Sequence, residues 1–165
     1  MTFDQIASLG EIIAAIAVIA SLIYVARQLT QTNLMMRNAA ASERMEREYD
    51  LVLPIIESAE LAEIWIKGDK EFHTLSNGEK QRLLFFERRA IVLWHHTFQM
   101  KKQNLFSDPF WHETIHIIRT IGSRQAIREA WKIYHEAYET PFVKFVEEQF
   151  AIADTDTDAE PGDEQ

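Results

Sequence analysis

The pattern of apolar and polar positions changes character along the chain. Residues 12–26 run 15 positions without a charge, and counting back to Ile6 gives 21 with Glu11 as the only interruption. A helix rises about 1.5 Å per residue and a bilayer's hydrocarbon core is about 30 Å thick, so roughly 20 apolar residues are needed to cross it. The shorter count falls below that. The longer one reaches it if Glu11 is tolerated about a turn inside the end, where it can snorkel or take up a proton. Further along, apolar residues recur at helical spacing among charged ones, the pattern of helices with one buried face.

No Gly or Pro lies between Gly10 and Pro54, so the apolar helix is expected to continue through Glu43, Arg44 and Arg47. Ser58 suits the N-cap of a short helix that contains Leu61, Ile64 and Trp65 and stops at Gly68. Ser76 and Glu79 have the S-x-x-E spacing of a capping box, in which each side chain satisfies the other's free backbone N–H. A long helix follows to about Gln103, with Leu83, Phe86, Ala90, Trp94 and Phe98 as its apolar stripe. Asp108 before Pro109 starts the next helix and Gly122 ends it. Ser123 opens another that runs through Tyr138, and Thr140 with Pro141 begins a last one to about Ala153.

No stretch alternates apolar and polar residues between turn signals as a strand would. The expected fold is therefore all-α, a long N-terminal helix continuing into a bundle of about four to five helices. Residues 1–38 form the anchor helix and its extension, residues 39–153 the helical domain, and residues 154–165 a disordered acidic tail that lacks large apolar side chains. Trp65, Trp94, Trp111, Trp131, Phe142 and Phe145 fall on apolar helix faces and are assigned to the core.

Charge narrows the function classes. Of a formal net charge of −9, six acidic residues lie after Phe150 with no base among them, which leaves the body mildly acidic. Nucleic-acid binding needs clustered Lys and Arg to neutralise phosphates, and no segment forms such a stripe. The chain has no Cys, which excludes disulfides, thiolate metal sites and a Cys nucleophile and fits a reducing compartment. A phosphate-binding glycine loop, a serine nucleophile elbow and a dinucleotide fingerprint are all absent from a sequence with five Gly, so no cofactor is expected.

Arg27, Arg37, Arg44 and Arg47 follow the apolar run, whereas Asp4 and Glu11 flank its start. The positive-inside rule then places the N-terminus outside and the body in the cytoplasm of a bacterial inner membrane, as a single-pass protein. A cleaved signal peptide is disfavoured by the acidic rather than basic start. Small residues recur at Ala7, Gly10, Ala14, Ala17 and Ser21 in 3-4 spacing, a seam along which backbones can approach in lipid. The partners expected are thus the lipid bilayer and either a second copy or another membrane helix. A soluble regulator that buries the same helix in its core is a further reading.

The run EIIAAIAVIASLIYVARQ followed by LTQTNLMMRNAA resembles the opening of a family of small, uncharacterised bacterial proteins with one N-terminal span and a helical cytoplasmic body. Later segments, including AELAEIWIKG and AIREAWKIYHEAYETPFVKFVEE, are similar to the later helices of those proteins. The shared features are apolar and aromatic positions, so the resemblance implies an architecture and no activity.

One pentapeptide carries chemistry. His112-Glu113-Thr114-Ile115-His116 is H-E-x-x-H, which on a helix can put two imidazoles on one zinc with Glu113 activating water, and Glu136 lies at a spacing suited to a third ligand. This resembles the zinc peptidases and is the enzymatic alternative, with Glu113 as the catalytic residue and His112, His116 and Glu136 as ligands. Against it, stepping about 100° per residue turns His112 and His116 away from the apolar face of their helix, and the strand on which such peptidases lay substrate is missing. His95 and His96 are adjacent and diverge by the same angle, which suits a polar helix edge rather than one shared ion. Glu113 to His116 is the only Glu-x-x-His pair, whereas a di-iron bundle wants two. Asp154, Asp156 and Asp158 have calcium-loop spacing, but Ala159 and Gln165 replace the required Gly and Glu. The preferred reading is an interaction or regulatory protein without catalytic activity.

Overall fold

The structure is a computed structural model that describes the backbone of residues 3–159 and the side chains of residues 10–155. Six α-helices account for nearly all of it, with no strand among the described residues: α1 Phe3–Glu57, α2 Ala59–Glu71, α3 Asn77–Lys102, α4 Asp108–Gly122, α5 Gln125–Tyr134 and α6 Thr140–Ala159. Short 3₁₀ turns, Phe72–Thr74 and His135–Ala137, follow α2 and α5. The chain divides into two compact units, Met1–Ala39 and Ala40–Gln165, with α1 contributing to both.

Helix starts follow the capping chemistry. Ser58 Oγ accepts from Leu61 N–H at 3.2 Å, and Ser76 with Glu79 completes the reciprocal box at 3.3 and 2.7 Å. The bond from Ser76 holds the Glu79 carboxyl below its ordinary range. Helix α3 ends in a Schellman arrangement: Leu105 N–H reaches Met100 O, Asn104 N–H reaches Lys101 O, and Asn104 takes φ 57°. Asn tolerates that left-handed conformation better than most side chains.

Several boundaries differ from expectation. Helix α1 passes Pro54, whose ring nitrogen cannot donate to the carbonyl of Asp50 four residues earlier. Arg89 Nη2 donates to that carbonyl at 2.6 Å instead, so the group that proline orphans is satisfied from α3. Gly68 does not stop α2, which continues to Glu71. Its role is close approach, since a Cβ there would lie 2.1 Å from Leu83 Cδ2. Ser123 continues the end of α4 in αR geometry, its hydroxyl bonded back to Thr120 O, and Arg124 takes the N-cap of α5. That helix stops at Tyr134, and Tyr138 is extended.

Helix α6 reaches Ala159 rather than stopping near Ala153. Arg128 anchors its late turns by donating to Phe150 O at 3.1 Å and Asp154 Oδ1 at 2.7 Å. The residues beyond Ala159, where the rest of the expected acidic tail falls, lie outside the described residues.

Within the second unit, α3 is the central helix. Ile91 and Trp94 from α3, Ile118 from α4, Ile127 from α5, and Phe142 and Val146 from α6 meet in the main core, all nearly or fully buried. Trp131 and Phe150 close it with edge-on ring contacts at 5.9 Å. Leu83, Ile64, Leu75 and Ala126 form a second cluster under α2. The part of α1 in this unit packs through Ala40 against Met100 and Phe106.

Candidate functional site

Helix α1 carries the strongest signal. Its best window, within Gly10–Glu57, has a mean hydropathy of 2.1 and no part of it is buried. The helix is a candidate membrane span by length and composition. Ile16 is 61 % exposed and Leu22 64 %. At about 1.5–3 kcal/mol for each such side chain, leaving the run in water is costly. The expected seam is equally open. Gly10 has nothing near the position of an added Cβ, and Ala14, Ala17 and Ser21 are exposed. Ser21 Oγ donates to Ala17 O at 2.8 Å and Thr30 Oγ1 to Ala26 O at 3.0 Å, so these two hydroxyls are satisfied within the helix. Ala7 has no described side chain.

The H-E-x-x-H residues are placed on α4, with His112, Glu113 and His116 all exposed. His112 Nδ1 donates to Asp108 O at 2.7 Å, and Glu113 Oε2 accepts from the buried Arg44 at 3.2 Å. Glu136 is exposed on the 3₁₀ turn after α5. Among the described residues, no three His, Asp or Glu side chains are grouped to hold a metal, so Glu136 does not complete a set with the histidines.

His95 and His96 diverge as expected, but neither sits on an open polar edge. His95 is partly buried against Tyr138 and Phe142, and its Nε2 donates to Glu139 Oε2 at 2.8 Å while Gln99 donates to the other carboxylate oxygen. Burial raises the Glu139 carboxyl, and the His95 bond with the neighbouring positive charges outweighs it, leaving the group below its ordinary range. His96 lies 3.9 Å from Glu43, and burial with the Arg47 charge holds its imidazole below the usual value.

The sequence reading missed a buried charge cluster joining α2, α3 and α5. Glu87 is 1 % exposed, and its Oε1 accepts from Arg124 Nη2 at 3.0 Å. Arg124 Nε donates to Asp69 Oδ2 at 2.7 Å, and its guanidinium carbon lies 3.9 Å from the ring centre of Trp65. Burial, reinforced by Asp69, pushes the Glu87 carboxyl up to about 7 against the opposing pull of Arg124. The visible signal was an acid on the buried stripe of α3, four residues after Leu83 and three before Ala90. Its partners could not be read locally. This cluster ties three helices together, since a buried charge is tolerated only with a partner.

A second feature is a surface groove of about 390 Å³ between α1 and α3, lined by Arg47, Asp50, Arg88 and Arg89 among apolar residues. Arg47 pairs with Glu43, Arg88 stacks 5.1 Å from the Tyr134 ring centre, and Arg89 supports the Asp50 carbonyl. Each of these cations thus has a partner in the structure. Searches against protein-family models, curated proteins and solved structures return no match for the chain.

Proposed function

We propose that the chain is a single-pass protein of a bacterial inner membrane, N-terminus outside, whose helical body serves in the cytoplasm as an interaction or regulatory module rather than as an enzyme. The observation that carries this reading is the apolar run of α1, whose side chains find no protein to cover them. Lipid is the solvent that removes their hydration cost. The orientation is supported by Arg27 and Arg37 just after the run, since basic residues near a span favour the cytoplasmic side. A non-catalytic body is supported by its polar groups, which pair with one another to hold helices together: Arg44 with Glu113, Arg124 with Glu87, and Arg128 with Asp154.

Single cysteines test the topology, because the natural chain has none to interfere. In intact bacteria an impermeant maleimide is expected to label Asp4→Cys and to reach Glu129→Cys only after the membrane is opened. The reverse pattern would invert the orientation. Labelling of both positions only after lysis would remove the span.

A further inference from the structure

The 4-3 spacing of Gly10, Ala14, Ala17 and Ser21 does not stop at the end of the apolar run. Stepped onward in the same alternation, it passes through Met35 and then Met45, Tyr49, Val52 and Ile56 without a break in register. Thirteen intervals of four and three residues thus connect Gly10 to Ile56. Nine residues from Arg27 to Glu57 inclusive are charged, and none falls on this stripe. The positions joining its two apolar stretches include Gln28, Gln31, Asn38 and Ser42, all polar and all uncharged.

The side chains are open where the structure describes them. In the first unit Ala17 and Ser21 leave a shallow hollow bordered by Val18, Leu22 and Val25. In the second unit Met45 is 64 % exposed, Tyr49 63 % and Ile56 70 %, while Ala40 and Arg44, on another face of the same helix, are buried in the body. At about 100° per residue the two faces of α1 are centred roughly 120° apart. Within the second unit, packing of the body on α1 therefore leaves Met45, Tyr49, Val52 and Ile56 uncovered.

We propose that this stripe is the seam of a parallel homodimer, α1 against α1 of a second copy, in which residues 35–56 form a two-stranded coiled coil. A heptad stripe of period 3.5 is the pattern that two supercoiled helices bury. A second copy is favoured because a two-fold axis brings each stripe residue against itself, and a charge-free stripe is what self-pairing requires. Flanking positions agree. In parallel register Arg27 faces Thr32, Ala41 faces Glu46 and Glu48 faces Leu53 of the second copy, so no like charges meet. Stripe and flanks together involve about 28 residues, within the roughly 20–30 a side of a standard interface. Polar Gln31 and Asn38 weaken such a seam but fix its register. The parallel sense rests on the membrane reading above, since two copies anchored with one orientation point the same way.

Cysteine scanning of the full chain in membranes tests this. Met45→Cys, Val52→Cys and Ile56→Cys should each form disulfide dimers on mild oxidation, at least about tenfold more than the off-stripe Asp50→Cys and Glu57→Cys. Adding Val52→Glu to Ile56→Cys, which places like charges at the axis, should remove that dimer while helicity persists. Equal yields on and off the stripe, or cross-links only to other proteins, would overturn the pairing. Carbonate extraction of the same samples separates this outcome from the anchor: retained protein without stripe dimers refutes the pair alone, and released protein with stripe dimers refutes the anchor alone.

Discussion

Helices α1 and α3 are both long and rich in apolar residues, yet they treat them in opposite ways. In α3, Leu83 and Ile91 are fully buried and Trp94 is 3 % exposed, and Glu87 is the one charged residue buried beside them. In α1, Ile16, Leu22 and Met36 are half exposed or more, and no charge interrupts residues 12–26. One pattern is periodic because only one face meets protein. The other is continuous on all faces, as a candidate membrane span is by length and composition. The same apolar residues thus build a core in α3 and leave an exposed surface on α1.

The contrast can be broken from the core side first. Phe142→Ala removes a fully buried ring and should cost the body about 3–5 kcal/mol in chemical denaturation, while leaving membrane retention unchanged. From the anchor side, Ile16→Lys should cost about 2.5–3.5 kcal/mol of insertion and move protein out of the membrane fraction, with near-native helicity in the body. If the lysine instead unfolded the body, α1 would be a core helix.

Charge sharpens the same comparison, because the body accepts a buried carboxylate and the anchor run has none. With the Glu87 carboxyl raised to about 7, the folded state holds a proton between its ordinary pKa and 7 that the unfolded chain has released. The stability contributed by this group is therefore full at low pH and falls as pH rises through that window. Relative to Glu87→Gln, which cannot ionise, the natural protein should lose up to about 3 kcal/mol between pH 4.5 and 7.5 in denaturant melts at fixed salt. A pH-independent difference would mean that Arg124 keeps Glu87 ionised throughout. Smallest is Arg89→Met, which strips the donor from the Asp50 carbonyl beside Pro54. It should cost about 1 kcal/mol, and Pro54→Ala, which restores the helical N–H, should recover most of it.

The sequence made legible what depends on neighbours in the chain. Ser76 with Glu79 and Ser58 mark helix starts because capping is local, and Asp108 with Pro109 because proline suits a helix's first turn. The stripe of α3 was readable because burial repeats every three to four residues. What failed was tertiary in origin. Gly68 looked like a stop and is a contact point for Leu83. Pro54 stays inside α1, and the carbonyl it orphans is met by an arginine 35 residues away from it in the chain. Asp154 looked like tail and is held by Arg128. Of the candidate sites, the apolar run and the α4 histidines could be placed from the sequence, whereas the Glu87, Arg124 and Asp69 cluster needed three helices brought together.

If lipid, rather than protein, covers the apolar run of α1, the full chain is an integral membrane protein. Alkaline carbonate extraction of membranes holding the full chain tests it most directly. The protein should stay in the pellet until detergent is added. Release into the supernatant by carbonate alone would contradict it.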